Sequence, residues 1–365
     1  MKLLEIKTND LEYNIKKIKE RANEAKIIAV IKGNGYGLGL KEFANFLVDH
    51  GINYLAVSSI EEAVELATMN LDATILCLEA TSVKNEIEQL FEKNVVITIG
   101  DIESAKILNE IAKRENKKAH VHLKVDTGFS RYGFLYDNKE EILKTITEST
   151  SIFVEGIFSH FSYAYSKDKN YTELQYKRFV DIKEFLEKNN INIPMYHICN
   201  SSAFLKYYDD MFLNAVRIGS AFLGRISVPN TIGLKKIGIL KSNVVEIKEI
   251  KKGTAVGYSN SEVVKKDTKI AIVPVGYSDG FHIGVKNDTF KFIDKIRILK
   301  NAIQDCFKKD KIYISISGKK YPVIGRVGMN HITVDITNSD IKIDEEVELE
   351  IAPVLVSSKI RREYI

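Results

Sequence analysis

Residues that can bind or activate a small molecule recur at or just beyond the ends of short apolar runs along this chain of 365 residues. A lysine amine can bond covalently to an aldehyde, and guanidinium and hydroxyl groups bind carboxylates and phosphates. One lysine or histidine in such a position is usually a solvated loop residue, but several in succession indicate a site. The positions are Lys32, Lys124, Arg131, His160, Asn200, Ser201, Arg217 and Gly219.

Lys32 lies in the glycine-rich segment Ala29-Val-Ile-Lys-Gly-Asn-Gly-Tyr-Gly-Leu-Gly39. The four glycines allow the backbone to turn tightly and leave Tyr36 close to the lysine. The residue order Gly-x-x-x-x-Gly-Lys-Ser/Thr of a nucleotide phosphate loop is absent from the segment. The loop therefore favours a lysine that forms a Schiff base with an aldehyde cofactor.

The elements that must position these residues are predicted by eight β-branched runs that alternate with amphipathic stretches. Eight parallel strands with intervening helices predict an α/β fold of the TIM (β/α)8 barrel type, whose active-site mouth lies at the carboxyl ends of the strands. The runs are 27–31, 54–58, 74–78, 95–99, 120–125, 154–159, 195–199 and 215–219.

Two helices have recognisable start signals. Ser59 with Glu62 predicts a capping box. Asn9 or Asp10 is expected to cap a helix before the first barrel strand, with one apolar face formed by Leu11, Ile15 and Ile18.

The pattern changes after about residue 235 to the alternation of antiparallel strands. Ser317–Tyr321 is expected to connect two of these strands as a hairpin, and 290–309 has helical spacing and resembles an insertion. We predict a barrel domain over 1–235 and a mainly β C-terminal domain over 236–365. The predicted strands are 244–247, 270–275, 312–316 and 332–336.

Composition excludes several classes of function. Lys and Arg total 53 against 49 Asp and Glu, a net charge of +4 without a basic tract, so nucleic-acid binding is not expected. The three cysteines form no Cys-x-x-Cys pair, so we expect no disulfide framework, no metal site and a cytoplasmic location. No apolar run has the length of a membrane span and the N-terminus lacks the pattern of a signal peptide, so no membrane association is expected.

Eight segments in colinear order resemble the alanine racemases, a family of enzymes that use pyridoxal 5'-phosphate (PLP). The loop at 29–37 resembles the family's PLP-lysine signature, and the likeness extends from about residue 3 to the C-terminus. The other segments are Lys124–Gly133, Ser159–Phe161, His197–Ser201, Val216–Gly219, Val256–Tyr258, Val275–Gly280 and Gly325–Met329.

The resemblance implies that Lys32 carries PLP and that Lys32 and Tyr258 exchange the α-proton from opposite faces of the substrate, with His160 and Arg217 helping the tyrosine act as a base. Racemisation needs two such groups, because a proton removed from one face is replaced on the other. Arg217 would meet the PLP ring nitrogen and, because a guanidinium stays charged, leave that nitrogen unprotonated. The weaker electron sink that results disfavours transamination. The implied product is D-alanine for cell-wall peptidoglycan.

The resemblance also assigns binding roles. Arg131 would orient the substrate carboxylate, and Lys124 corresponds to a lysine that is often carbamylated in the family. Tyr258, Tyr277 and Met329 would reach across a head-to-tail homodimer with shared active sites, where Tyr277 and Met329 would help to bind the substrate. The implied cofactor-binding residues are Lys32, Tyr36, His160, Asn200, Ser201, Arg217, Gly219 and Ser220.

The sequence departs from the family's pattern at several positions. Gly33 and Gly35 replace usual alanines, and Leu38 replaces a usual histidine. Asn330 replaces a usual aspartate, and Ser358 aligns with a tyrosine that narrows the substrate entrance. A smaller residue leaves room for a larger or hydroxylated side chain, so a serine or broad-specificity racemase is the alternative function.

Two further interpretations compete. A basic-amino-acid decarboxylase on a similar barrel would need a glycine-rich phosphate run and a reactive cysteine motif, and the segment around Cys306 lacks one. A non-catalytic PLP-binding protein would lack the β domain that carries Tyr258 and Met329. A purified protein that shows the absorption band of lysine-bound PLP, but does not exchange the α-proton of any amino acid, would favour this last interpretation.

Overall fold

The computed structural model describes residues 2–207, 211–284, 292–307 and 311–365. The chain divides into two compact units, Lys7–Ile237 and Met1–Ile6 with Gly238–Ile365. The N-terminal strand β1 (Leu3–Ile6), which the sequence analysis did not predict, belongs to the second unit.

The first unit alternates helices with strands, and eight strands run parallel in one sheet of order β10-β2-β3-β4-β5-β6-β8-β9, with β7 paired to β6 at the side. Its elements in chain order are α1 (Thr8–Ala22), β2 (Lys26–Val30), α2 (Lys32–Tyr36), α3 (Leu40–Asp49), β3 (Tyr54–Val57), α4 (Ile60–Ala67), β4 (Thr74–Ala80), α5 (Lys84–Glu92), β5 (Val96–Ile99), α6 (Ile102–Arg114), β6 (Ala119–Asp126), β7 (Phe134–Leu135), α7 (Lys139–Glu148), β8 (Ile152–Phe158), α8 (Asn170–Lys188), β9 (Met195–His197), α9 (Ser201–Lys206) and β10 (Ala215–Ile218).

The predicted TIM barrel is confirmed. All eight predicted strands are present, with ends that shift by one or two residues. The sheet nearly closes on itself, because the Arg217 N–H of β10 donates to the Cys199 carbonyl just after β9 at 2.9 Å. A cluster of buried, mostly apolar side chains from six of the eight strands packs together. This cluster consists of Ile28, Val30, Tyr54, Ala56, Leu76, Val96, Met195 and Ala215.

The helix start signals were partly right. The Ser59 hydroxyl accepts the Glu62 N–H at 3.2 Å and caps α4, which is half of the predicted capping box. The Glu62 carboxylate does not complete the box and instead accepts the Asn34 N–H at 2.8 Å. The prediction that Asn9 or Asp10 caps α1 was wrong, because α1 begins earlier: the Lys7 carbonyl already accepts the Asp10 N–H. The predicted apolar face of this helix, with Leu11, Ile15 and Ile18, is buried.

The second unit is mainly β, and nine of its strands form one sheet of order β12-β15-β18-β17-β16-β19-β11-β1-β20. Its remaining elements are β11 (Ile239–Asn243), β12 (Glu246–Ile250), β13 (Ala255–Val256), β14 (Glu262–Val263), β15 (Thr268–Val273), α10 (Phe292–Phe307), β16 (Tyr313–Ile316), β17 (Lys319–Ile324), β18 (Ile332–Asp335), β19 (Glu346–Leu349) and β20 (Arg361–Tyr364).

Most strand predictions for this unit hold. Ser317 and Gly318 form a two-residue turn between β16 and β17, both with positive φ as such hairpins require. The strand predicted over 244–247 was only partly right, because β12 begins at Glu246. Val244 and Val245 connect β11 to β12: the Val244 N–H bonds to the Glu345 carbonyl and the Val245 N–H to the Ile272 carbonyl.

The predicted insertion contains helix α10, and positions 290, 291, 308 and 309 lie outside the described residues. Across the described ranges, no helix has both the length and the apolar character needed to cross a membrane.

Candidate active site

A cavity of about 330 Å³ lies at the carboxyl ends of the barrel strands and is open to solvent. Every barrel residue that the sequence analysis proposed for the site lines this cavity. Those residues are Lys32, Tyr36, Lys124, Arg131, His160, Asn200, Ser201, Arg217, Gly219 and Ser220. The carboxyl ends of parallel strands meet at one edge of a barrel, which explains how segments nearly 190 residues apart in sequence come together.

Lys32 follows β2 and precedes a single left-handed turn. Gly33, Asn34 and Gly35 have φ of 63°, 54° and 64°, and Tyr36 has φ of 53°. Glycine and asparagine are the residues that adopt this conformation most easily, so the glycine-rich sequence is what permits the turn. Asn34 secures it, because its side chain accepts the Leu40 N–H at 2.8 Å.

The Lys32 side chain reaches into the cavity. Desolvation by the cavity wall and, secondly, the nearby Arg131 guanidinium lower the pKa of its amine from the ordinary value. Both effects favour the neutral amine, which is the form that can accept a proton or react with an aldehyde.

Arg217 is buried at the floor of the cavity, and its terminal nitrogens are held by protein acceptors. Nη1 lies 2.7 Å from His197 Nδ1 and 3.0 Å from the His197 carbonyl. Nη2 donates to the Ser159 carbonyl at 2.6 Å and lies 3.0 Å from His160 Nδ1. For the Nε–H, the described part of the chain provides no acceptor, and the side chain borders the cavity.

His160 is neutral in this setting. Burial and then the Arg217 and Lys124 cations place its pKa well below the ordinary histidine value. Arg217 can only donate, so His160 Nδ1 accepts the bond and its proton sits on Nε2. The ring therefore offers one N–H donor near the cavity.

Lys124 is 3 % exposed, and its amine has no hydrogen-bond partner within the described ranges. The Nζ atom lies 4.8 Å from the centre of the Phe158 ring. Burial, followed by repulsion from Arg217 and Arg131, holds the pKa of this amine well below its usual range. An uncharged buried amine without a partner is open to chemical modification.

Tyr36, Ser201 and Gly219 form the side of the cavity next to β10. The Gly219 N–H donates to Ser201 Oγ at 2.9 Å. A methyl group at Gly219 would lie 2.6 Å from Tyr36 Oη, so only glycine permits this close approach. Burial raises the pKa of Tyr36 to about 12, which keeps its hydroxyl protonated as a donor.

Arg131 stands at the exposed side of the cavity, with its guanidinium 4.5 Å from the centre of the Phe129 ring. The loop that carries it is organised by Asp126, whose carboxylate accepts the N–H groups of Gly128 and Phe129, both at 2.8 Å. Partial burial alone would raise the pKa of Asp126, but these backbone donors lower it. The loop therefore offers a cation to an anionic ligand.

The sequence analysis missed four polar residues that also line the cavity, namely Ser58, Glu79, Tyr132 and Ser202. Ser58 and Glu79 could have been predicted from their place at the carboxyl ends of strands, because Ser58 directly follows β3 and Glu79 lies near the end of β4. Ser202 was next to a proposed residue.

Tyr258, Tyr277 and Met329 lie together in the second unit, where they line a separate cavity. Their side chains are 73 %, 45 % and 53 % exposed, which is unusual for large apolar residues in or near strands. The Tyr277 N–H bonds to the Gly328 carbonyl at 3.0 Å and joins two of the sequence motifs. Asn330 accepts a bond from Ser278 Oγ at 2.6 Å.

Two family models match the chain. The model for the N-terminal domain of alanine racemase matches residues 6–226, and the model for the C-terminal domain matches residues 238–353.

Curated relatives and solved structures agree with this assignment. "Alanine racemase 2" of Caldanaerobacter subterraneus is 33 % identical over 352 residues, covering 94 % of this chain and 84 % of the relative. An alanine racemase of Clostridium perfringens is 35 % identical over 354 residues, with the same coverages. The structure of alanine racemase from Clostridium difficile matches with a TM-score of 0.86 and 28 % identity, covering 100 % of this chain and 95 % of that one. The chain therefore belongs to the alanine racemase family.

Proposed function

We propose that this protein is a PLP-dependent racemase that interconverts L- and D-alanine, with Lys32 and Tyr258 as the two acid/base groups. The observation that carries the proposal is the convergence of Lys32, Arg217 and Gly219 on one cavity at the carboxyl ends of the barrel strands. The family membership supports the same reaction.

The residues of the cavity fit PLP. Arg217 borders the cavity with an Nε–H that no described residue accepts, and this donor suits the nitrogen of an aromatic ring. The close approach of Tyr36 to Gly219, with Ser201 and Ser220 beside them, provides hydroxyl and backbone donors for a phosphate. This is also the usual phosphate position in a barrel, after strands seven and eight.

When bound, PLP supplies an electron sink that makes the α-hydrogen of an attached amino acid acidic. Lys32 Nζ would hold the cofactor through its aldehyde and, once its amine is free, take or return the α-proton on one side. The lowered pKa of Lys32 suits this exchange because it favours the neutral amine, which is the form that can accept a proton.

Tyr258 would serve the other side of the α-carbon from a partner subunit. We infer a homodimer with shared active sites because Tyr258, Tyr277 and Met329 form one exposed group in the second unit. His160 and the charged Arg217 would then help the Tyr258 hydroxyl act as a base. Asn200, whose side chain caps α9, holds Ser201 in place.

Arg131 would bind the substrate carboxylate. Lys124 would support this role if its uncharged amine attacked carbon dioxide: the nitrogen bonds to the carbon, one C=O π bond opens to give a carboxylate oxygen, and the amine releases one proton to solvent. The resulting carbamate would be an anion able to pair with a guanidinium. The buried amine without a described partner is the observation that supports carbamylation.

The test is an assay of alanine racemisation with added PLP. Wild type should be active, whereas Lys32→Ala and Tyr258→Phe should each lose at least about a hundredfold in kcat, the usual contribution of a positioned acid or base. Tyr313→Phe, which alters an exposed tyrosine of the same unit, is the control and should retain activity. A wild-type protein that binds PLP but exchanges no α-proton would contradict the proposal and favour a PLP-binding protein.

Serine is the second candidate substrate. Ser358, aligned with an entrance tyrosine, is small and exposed, and Asn330 is also exposed. Comparing kcat/KM for L-alanine and L-serine tests this alternative. Undetectable turnover of L-serine would exclude the broader specificity.

We also infer that the enzyme acts in the cytoplasm and supplies D-alanine for the cell wall. Cys77 and Cys199 are both unpaired and buried, which is compatible with a reducing compartment. Growth that depends on added D-alanine after loss of the gene would support this role.

A further inference from the structure

A line of buried polar side chains crosses the barrel beneath the active site. Arg217 Nη1 lies 2.7 Å from His197 Nδ1, and His197 Nε2 lies 2.8 Å from His122 Nδ1. His122 Nε2 lies 2.8 Å from Tyr54 Oη, and Tyr54 donates to Glu155 Oε1 at 2.5 Å. The line thus connects the floor of the cavity to a carboxylate at the opposite end of the strands.

The two ends of the line fix the direction of every hydrogen bond in it. A guanidinium can only donate, so His197 Nδ1 accepts and the His197 proton sits on Nε2. That proton is donated to His122 Nδ1, which places the His122 proton on Nε2, facing Tyr54 Oη. At the other end an ionised Glu155 can only accept, so the Tyr54 hydroxyl points toward it. Both ends therefore require the same direction.

The charge states of the groups agree with this arrangement. Burial is the largest effect that lowers the pKa of both His122 and His197, and both rings are therefore neutral. Burial alone would raise the pKa of Glu155, but bonds from His122, Tyr54 and His120 lower it to about 2. Burial and, secondly, the Glu155 charge raise the pKa of Tyr54 above the ordinary tyrosine value. The Tyr54 hydroxyl therefore remains protonated and acts as a donor.

The backbone is shaped for this line. Val121 pairs with Val154, whereas His122 pairs with Gly156, so Glu155 is the extra residue of a β-bulge in β8. Bulges redirect a side chain, and here the redirected side chain is the terminal carboxylate. A methyl group at Gly156 would lie 2.4 Å from the His122 ring, so glycine makes the space that the ring occupies.

Other charged groups surround the far end of the line. His120 Nδ1 lies 2.9 Å from Glu155 Oε2, and Lys26 Nζ lies 4.4 Å from the centre of the Tyr54 ring. Within the described ranges no carboxylate forms an ion pair with Arg217. Glu155 is therefore the anion to which the buried guanidinium is connected, through three neutral side chains.

We propose that Glu155 and Tyr54 are positioning residues for Arg217: they hold His122 and His197 in single tautomers, so that the guanidinium presents its Nε–H to the cavity. The consequence for catalysis rests on the proposed racemase function. The tautomers themselves do not depend on it.

The first test is ¹⁵N NMR of the histidine rings in the full-length, cofactor-free protein. In wild type, His122 and His197 should each show a protonated Nε2 and an unprotonated Nδ1. Tyr54→Phe removes one of two acceptors near the His122 Nε2–H, the other being Glu155 Oε1 at 3.4 Å, and Glu155→Gln keeps the shape but removes the charge. In both variants the Arg217 end still favours a proton on Nε2 of His197 and His122, but the His122 Nε2–H is held less firmly, so a minor Nδ1-protonated form of His122 should appear. Tyr196→Phe is a matched control, because Tyr196 Oη is a buried hydroxyl with no partner in the described part of the chain.

The second test uses the PLP-loaded enzyme. Tyr54→Phe and Glu155→Gln should lower kcat by about tenfold, with a KM for alanine close to wild type, and should shift the absorption band of bound PLP. Tyr196→Phe should resemble wild type in all three measurements.

The outcomes separate the two proposals. A wild-type protein with the expected tautomers but without racemase activity would leave the hydrogen-bonded line in place and contradict the proposed function. A wild-type His122 or His197 with its proton on Nδ1, or variants that match Tyr196→Phe in tautomers and kcat, would overturn the positioning role.

Discussion

Individual atoms decide what the barrel cavity can hold. Gly219 has no Cβ atom, and this allows Tyr36 Oη to lie close to its backbone. A methyl group at Gly219 would lie only 2.6 Å from that oxygen. At Lys124 a buried amine lacks a partner among the described residues. Neither feature stabilises the fold, because close backbone contact and an unpaired polar group both carry a free-energy cost. Both are therefore expected to serve binding.

Replacing Gly219 by alanine should weaken PLP binding. The added methyl group must displace Tyr36 and disturbs the bond from the Gly219 N–H to Ser201, so we expect the dissociation constant to rise by tenfold or more, about 1.4 kcal/mol. Absorbance titration of the cofactor-free protein measures the effect. Gly284→Ala is the control, because a methyl group there would have no atom of a described residue within 4 Å. Equal affinities of the two variants would contradict the phosphate site.

Replacing Lys124 by methionine should stabilise the fold and at the same time weaken substrate binding. Removing a buried amine without a described partner should raise the free energy of unfolding by about 1 kcal/mol in buffer free of carbon dioxide. The KM for alanine should increase, because the group that supports Arg131 is lost. Lys113→Met, at an exposed position of α6, should change neither quantity. An unchanged KM for Lys124→Met would count against carbamylation.

At the scale of elements, short irregular segments rather than regular strands set the site's geometry. The left-handed turn from Gly33 to Tyr36 directs Lys32 into the cavity. The bulge at Glu155 in β8 and the space at Gly156 allow His122 to lie inside the barrel. The regular strands form the barrel wall, whereas the left-handed turn and the β-bulge set the directions of the polar side chains.

The layer of buried histidines makes barrel stability depend on pH. His122, His160 and His197 have lowered pKa values in the folded state, mainly through burial, while in the unfolded chain they titrate near pH ~6.5. Below that pH the unfolded state binds more protons than the folded state, so stability decreases as pH falls. Each histidine contributes up to about 1.4 kcal/mol per pH unit.

Urea unfolding between pH 7.5 and pH 5.5 measures this dependence. His160→Gln should reduce the slope, whereas His331→Gln, at an exposed position, should preserve it. A wild-type stability that stays constant over this range would show that the folded and unfolded chains bind protons equally, and would contradict the lowered histidine pKa values.

At the scale of the whole molecule, the exposed aromatic group of the second unit requires a partner in the proposed mechanism. Tyr258 is 73 % exposed, and Met329 is 53 % exposed beside it. Under the proposed arrangement, each active site combines Lys32 of one subunit with Tyr258 of the partner subunit. Residues on different subunits can be tested by mixing inactive variants.

Mixing Lys32→Ala with Tyr258→Phe under conditions that exchange subunits should restore activity. Half of the dimers formed at random are mixed, and each mixed dimer regains one intact site of two, so roughly a quarter of wild-type activity is expected. Mixing Lys32→Ala with a Lys32→Ala, Tyr258→Phe double variant is the control and should remain inactive. Absence of recovery, although mixed dimers are present, would contradict a shared site.

Much of the fold and the site was predictable from local sequence. The eight barrel strands, the Ser59 cap and the 317–318 hairpin turn follow from apolar periodicity and turn chemistry. The ten proposed barrel residues share one cavity because they lie in the carboxyl-terminal parts of the strands or in the segments that follow them. Strand β1 was missed, and the strand over 244–247 was misplaced, because both depend on pairing with residues distant in sequence.

The sequence by itself determined that Lys32 stands in a loop able to turn left-handed after a strand, since glycine spacing and apolar runs are properties of neighbouring residues. Only the tertiary structure decided that Lys124 lacks a described partner and that Arg217 is connected to Glu155 through His197, His122 and Tyr54. Burial and hydrogen-bond direction are set by atoms from different strands, and the closing of the barrel brings those atoms together.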